Sequence, residues 1–224
     1  MFSAAIFDMD GLLIDSERTI MNTWIDVARE LGTPIRPVDY VEIIGRSLPE
    51  CHAMLAEMLG SRPIFQEALT RVGQTLQSPT NPPVYPLKPG VKALLDALVQ
   101  AGIPCAVASS SSGHEIASRL SRVGVLDVFD AIAGGDEVAR GKPDPAVYAL
   151  AASRLGKAPS QCLAFEDSEN GLLAAHRARI SVVAVPDLKR PSDEIMGLSF
   201  TTLDNLDRAI EHVPAWFGMG ALAA

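Results

Sequence analysis

The stretch Ala4-Ala5-Ile6-Phe7-Asp8-Met9-Asp10-Gly11 decides how the chain is read. Four apolar residues stopped by an acidic pair and a glycine predict a short buried strand running into a turn. From Ser16 the period changes. Ile20, Met21, Trp24, Ile25, Ala28 and Leu31 recur at helical spacing until Gly32 and Pro34 stop them. Helical patterning continues around residues 37–44, 49–59 and 63–77 with no strand between. The proline-rich polar run Ser78-Pro79-Thr80-Asn81-Pro82-Pro83 then reads as a linker.

Beyond the linker, helices and strands alternate. Pro89 to Ala101 is predicted helical, with Val91, Leu94, Leu95, Leu98 and Val99 on one face. Ile103 to Ala108 reads as a strand, His114 to Val123 as a helix and Ala131 to Ala133 as a strand. Asp144-Pro145 opens a helix closed by Gly156, with a capping aspartate and a proline in the first turn. Cys162 to Phe165, Ser168 to Arg179 and Ile180 to Val185 complete the series as strand, helix and strand. Such alternation implies right-handed crossovers and an α/β fold with a parallel, Rossmann-like sheet covered on both faces. The strand at residues 4–7 belongs with this later half. The expected organisation is therefore a core from residues 1–15 and 85–224, with residues 16–84 inserted as a helical block.

The chain has 224 residues, 48% of them hydrophobic and 21% charged, which suits a globular protein with a large core. The net charge of −8 argues against nucleic acid or an anionic membrane as partner, since both need clustered cations. Cys51, Cys105 and Cys162 are odd in number and widely spaced, which speaks against a disulfide framework or a zinc site and for a reducing cytosol. No apolar run reaches the ~20 residues of a membrane span. Met1 to Asp15 carries three aspartates and no Lys or Arg, unlike a signal peptide, so a cytoplasmic location is expected. A monomer is expected.

The crevice of an open α/β sheet lies at the carboxyl ends of its strands. The first strand ends in Asp8 and Asp10, the strand at 103–108 in Ser109 to Ser112, and the strand at 162–165 in Glu166 and Asp167. Gly141-Lys142-Pro143-Asp144 joins the same rim. Each piece alone is ordinary: a capping aspartate, a helix start, a serine loop, a surface lysine. Four of them at strand ends is a convergence. Asp8, Asp10, Glu166 and Asp167 would crowd together, and two like charges 4 Å apart repel by about 4 kcal/mol at an effective dielectric of 20. Such a group must protonate or bind a cation. Oxygen ligands without paired His or Cys favour a hard ion such as Mg²⁺. Lys142 with the hydroxyl and backbone donors of Ser109 and Ser110 would hold the oxygens of a phosphate.

Phe7-Asp8-Met9-Asp10-Gly11, Ser109 after a strand, Gly141-Lys142-Pro143 and Phe165-Glu166-Asp167-Ser168 together resemble the four motifs of the haloacid dehalogenase superfamily. The helical block resembles its C1-type cap, and the whole chain is similar to the β-phosphoglucomutase and sugar-phosphate phosphatase branch. The resemblance implies a Mg²⁺-dependent phosphatase acting on a small organic phosphate, such as a sugar phosphate. It implies Asp8 as nucleophile forming an aspartyl-phosphate, and Asp10 as acid to the leaving alcohol and base for water. Mg²⁺ would be bound by the Asp8 carboxylate, the Asp10 main-chain carbonyl and Asp167, with Glu166 ligating directly or through water. Ser109 and Lys142 would position the phosphoryl group, with Gly11 and Ser110 beside it. Gly45-Arg46-Ser47 resembles the cap loop facing the crevice, so Arg46 and Ser47, with Ser16 and Glu17, are expected to touch substrate.

A phosphomutase is the near rival. The mutase pattern places a histidine where this chain has Ile20 and a cap arginine where it has Leu48, and both departures weigh against it. A true haloacid dehalogenase lacks the second aspartate of the first motif, so Asp10 weighs against that activity. A phospho-acceptor signalling module would also use aspartates, a lysine and Mg²⁺, but needs neither the helical insertion nor Asp10.

Overall fold

The computed structural model describes residues 1–44, 48–78, 80 and 83–218. Two compact units form, Ser16–Tyr85 and Met1–Asp15 with the chain from Pro86 onward. The first is helical: α1 (Ser16–Glu30), α2 (Pro37–Val41), α3 (Leu48–Met58) and α4 (Arg62–Leu76). Met21, Trp24, Ile25 and Ala28 form the buried stripe of α1, and Trp24 stacks on Phe65 of α4 with ring centroids 6.2 Å apart. Ser61 starts α4 by accepting a hydrogen bond from the Ile64 N–H. Arg46 and Ser47 lie outside the described residues.

The second unit is a six-stranded sheet. Its strands are β1 (Ala4–Phe7), β2 (Cys105–Ala108), β3 (Ala131–Ala133), β4 (Cys162–Glu166), β5 (Ser181–Ala184) and β6 (Thr201–Thr202). All neighbours pair in parallel, in the order β3-β2-β1-β4-β5-β6. The helices are α5 (Val91–Gln100), α6 (Gly113–Arg122), α7 (Ala146–Arg154), α8 (Glu169–Arg177), α9 (Asp193–Met196), α10 (Asp207–Ile210) and α11 (Val213–Phe217). On one face Ile6, Ala106, Ala108, Ala164 and Val182 meet Val147, Tyr148 and Ala151 of α7 and Leu172 and Ala175 of α8. The small strand residues let these helices approach closely. The alternate positions Ala5, Phe7, Val107, Leu163 and Phe165 are also buried, so both faces are covered, as a parallel sheet requires. β1 lies at the centre, and its continuation reaches the strand-end rim in the middle of the sheet.

Several elements differ from the sequence expectation. The strand at 103–108 begins only at Cys105, although the Pro104 carbonyl already accepts from the Ala5 N–H at 3.0 Å. Pro145 occupies the cap position of α7, and Asp144 Oδ1 accepts from the Ala146 N–H at 3.1 Å. Val99, placed on the apolar face of α5, is 54% exposed. β6 and α9 to α11 carry no strong period: β6 is two threonines, and these helices have five residues or fewer. Cys105 and Cys162 are buried and Cys51 is half-buried, all three as free thiols.

The turn after β3 is tied to α7 by a two-point ion pair. Arg154 Nη1 lies 2.9 Å from Glu137 Oε1 and Nη2 lies 2.5 Å from Oε2, and Arg154 also donates to the Ile132 carbonyl. The guanidinium, helped by the Gly134 N–H, pulls the Glu137 carboxyl down to about 2. A depressed folded-state value stabilises the fold above the ordinary glutamate pKa and loses that contribution as pH falls toward the folded value. The difference in melting temperature between wild type and Glu137→Gln is therefore expected to be full at pH 7 and to shrink steadily below about pH 4.5. For the core, Leu98→Ala is expected to cost about 3 kcal/mol in urea unfolding, whereas Val99→Ala one residue later changes stability by less than about 0.5 kcal/mol.

Candidate active site

The register of β1 against β4 builds the site. Phe7 pairs with Phe165, their rings stacked at 4.8 Å, and one residue further along this register Asp8 follows Phe7 as Glu166 follows Phe165. The Asp8 N–H still donates to the Phe165 carbonyl at 3.1 Å. Beyond the strand end Met9 turns into the core, and Asp8 is buried at the rim. The turn closes through Gly11 N–H to the Ile14 carbonyl at 2.9 Å. Gly11 adopts φ +87°, and a Cβ there would stand 2.3 Å from Asp167 Oδ2. Its glycine identity thus serves both the turn and the approach of Asp167.

Asp8, Glu166 and Asp167 are all buried, and one carboxylate oxygen from each lies within 4.8 Å of the others. Lys142 stands among them, its Nζ 2.5 Å from Asp8 Oδ1 and 2.6 Å from Glu166 Oε1. Burial pushes the Asp8 carboxyl up to about 8, against the pull of Lys142 and with the push of Glu166 and Asp10. Burial alone would lower Lys142, but the facing carboxylates of Asp8 and Glu166 outweigh it and hold the amine charged.

Glu166 is held from all sides. Its Oε1 accepts from Lys142 and, at 2.9 Å, from the Tyr148 hydroxyl. Its Oε2 accepts from the Asp167 N–H, the Ser168 N–H and the Ser168 hydroxyl at 3.1, 3.1 and 3.0 Å. Ser168 in turn caps α8 by accepting from the Gly171 N–H at 3.1 Å. Gly171 backs directly on the carboxylate, since a Cβ there would fall 1.8 Å from Oε1.

Asp10 stands apart from this group. Its Oδ1 accepts from Arg119 Nη1 at 2.8 Å and its Oδ2 from the Ser111 hydroxyl at 3.0 Å. The crowding expected of four carboxylates is met by three. Ser109 is buried at the end of β2, its Oγ accepting from the Ser111 N–H at 3.1 Å, while Ser110 is exposed and its backbone packs on Gly135. Glu17 is half-buried in the first turn of α1.

Residues 5–185 match the haloacid dehalogenase-like hydrolase family. The chain belongs to that family. It is 34% identical over 209 residues to hexitol phosphatase B of Escherichia coli (strain K12), covering 91% of this chain and 92% of that one. It is 33% identical over 177 residues to the phosphorylated carbohydrates phosphatase of Thermotoga maritima, covering 79% of this chain and 82% of that one. A HAD family hydrolase from Deinococcus radiodurans R1, solved with bound phosphate and sodium, superposes with a TM-score of 0.80 at 28% identity and 99% coverage of both chains.

In this hydrolase the acidic group fits a hard divalent ion. The donors are all oxygens, and the raised Asp8 carboxyl shows that a single lysine does not supply the positive charge that three buried acids need to ionise together. Tyr148 and Arg119 were not singled out by the sequence reading. Arg119 follows Glu115 by one helical turn and pairs with it at 3.5 Å, a spacing visible in the sequence, but nothing there shows that this face of α6 meets Asp10. Tyr148 reads simply as an apolar position of α7.

This charge imbalance sets opposite signs for two substitutions. In chelator, Lys142→Met leaves the carboxylates without their counter-charge and is expected to lower unfolding free energy by about 3 kcal/mol. Asp8→Asn replaces a carboxyl whose ionisation burial opposes with a neutral amide of the same shape, and is expected to melt at or above the wild-type temperature. Scanning calorimetry of both variants checks the pair.

Proposed function

We propose that this phosphatase hydrolyses small organic phosphate monoesters, sugar phosphates among them, through an aspartyl-phosphate on Asp8. The observation that carries the reading is Lys142 clamped between Asp8 and Glu166 with Asp167 alongside, at the carboxyl ends of the central strands. The names of the two phosphatase relatives support the substrate class.

Asp8 Oδ attacks phosphorus while Asp10 gives its proton to the departing alcohol oxygen. Asp10 then takes a proton from water as its oxygen attacks the phosphorus of the acyl phosphate, releasing inorganic phosphate and restoring Asp8. Lys142 and Ser109 hold the phosphoryl oxygens, with Gly11 and Ser110 lining the same turn-and-loop edge. Asp8, Asp167 and the Asp10 main-chain carbonyl would hold Mg²⁺, with Glu166 contributing directly or through water. The ion supplies positive charge that lets an anionic carboxylate meet an anionic phosphate. Residues 16–84 serve as the cap domain of a core made from residues 1–15 and 85–224. Glu17, Arg46 and Ser47 choose the leaving group. The enzyme works as a cytoplasmic monomer on small molecules, with no nucleic-acid partner.

Phosphate release across a panel of metabolite phosphates is the test. Steady multiple turnover on hexitol and sugar phosphates is expected, abolished by chelator and restored by Mg²⁺. Asp8→Asn should reduce kcat at least about a thousandfold. Full activity in that variant removes Asp8 as nucleophile, and isomerised sugar phosphate without released phosphate turns the assignment to a mutase.

A further inference from the structure

Tyr148 is fully buried on α7, six residues after Lys142. Its hydroxyl donates to Glu166 Oε1 at 2.9 Å, the oxygen that also accepts from Lys142. Its ring lies under the lysine, with Nζ 5.0 Å from the ring centroid. One side chain thus touches both members of the pair from one direction. A carboxylate only accepts, so the phenol must be the donor.

We propose that Tyr148 is a positioning residue for the phosphoryl-transfer site, fixing Glu166 by its hydroxyl and Lys142 by its ring so that Nζ stays directed at Asp8. The inference rests on the reading of Asp8 as nucleophile. On the opposite side of Glu166, the Asp167 and Ser168 N–H groups and the Ser168 hydroxyl hold Oε2. Without the phenol, Oε1 keeps only the lysine as a donor, and the carboxylate is fixed chiefly from its Oε2 side. Lys142 then loses its fixed bearing on the phosphate oxygens. The acidic group that would hold the divalent ion loses a hydrogen bond from outside the group.

Tyr148→Phe in the full chain tests this, because phenylalanine keeps the ring, the packing and the cation–π contact and removes only the hydroxyl. Hydrogen bonds of this kind around ligating carboxylates are worth about 10- to 100-fold in metal affinity or activity. The expected result is a Mg²⁺ Kd raised about tenfold in calorimetry without substrate, and kcat on p-nitrophenyl phosphate lowered about tenfold with KM within about twofold. In a Glu166→Gln background, the same substitution is expected to add less than about twofold, since the oxygen it serves has lost its charge. A folded Tyr148→Phe protein with unchanged Mg²⁺ Kd and unchanged kcat overturns the proposal, whatever its melting temperature. Additive effects in the double variant overturn it too. Asp8→Asn run alongside separates the two readings: its full activity removes the nucleophile, while the Mg²⁺ Kd still decides the role of Tyr148.

Discussion

Lys142 Nζ lies 2.5 Å from Asp8 and 2.6 Å from Glu166, and none of the three side chains is more than 9% exposed. A lysine this dry keeps its charge because carboxylates face it, and it offsets only part of what burial does to the Asp8 carboxyl. Removing the lysine leaves the acidic groups in a medium that solvates their charge poorly. The rest of the molecule can be understood as the means of holding these groups together. β1 and β4 set Asp8 and Glu166 by their register, and the loop before α7 carries the lysine between them. α8 begins on the hydroxyl of Ser168, which also binds Glu166.

The supports are steric as well as electrostatic. Gly11 and Gly171 each stand where a methyl group would collide with a site carboxylate, Asp167 in one case and Glu166 in the other. The two acidic side chains of the fourth motif are thereby pressed from the turn after β1 and from the first turn of α8. Glu166 accepts five hydrogen bonds, so its orientation is over-determined. Over-determination of this sort is what fixes a charge to within a fraction of an ångström, and proposed phosphoryl transfer at Asp8 depends on that precision of placement.

The positions of Asp8, Glu166 and Asp167 were legible because strand ends announce themselves: an apolar run stops, a polar residue follows, and parallel topology sends all such ends to one edge; Lys142 lies in the loop before α7 and was legible through Gly141-Lys142-Pro143 ahead of a helix. The same logic placed Asp10 with them, yet its carboxylate goes to Arg119 and Ser111. Two residues along a chain that is turning is enough to redirect a side chain, and the turn geometry at Gly11 is not written in the spacing. Val99 shows a related limit. Its place beside Leu98 suits an apolar stripe, but the width of that stripe depends on what α5 packs against, which includes the short helix α10 that no period reveals. Tyr148 was hidden for the opposite reason: a fully buried ring at a helical apolar position looks like core, and only the third dimension shows where its hydroxyl ends.

The separation of Asp10 from the buried group has its own physical sense. Asp10 keeps 28% of its side chain exposed, against 9% for Asp8 and 0% for Glu166. Groups that hold charge in place are strengthened by exclusion of water, because every attraction among them grows as the local dielectric falls. A group that passes a proton to an alcohol and takes one from water needs access to both, and a dry site would deny it the water. In the proposed reaction Asp8, Glu166 and Asp167 do the first kind of work and Asp10 the second. Arg119 and the Ser111 hydroxyl hold Asp10 at the wetter margin without drawing it into the dry group, which lets the segment Asp8-Met9-Asp10 after β1 present a carboxylate to each environment.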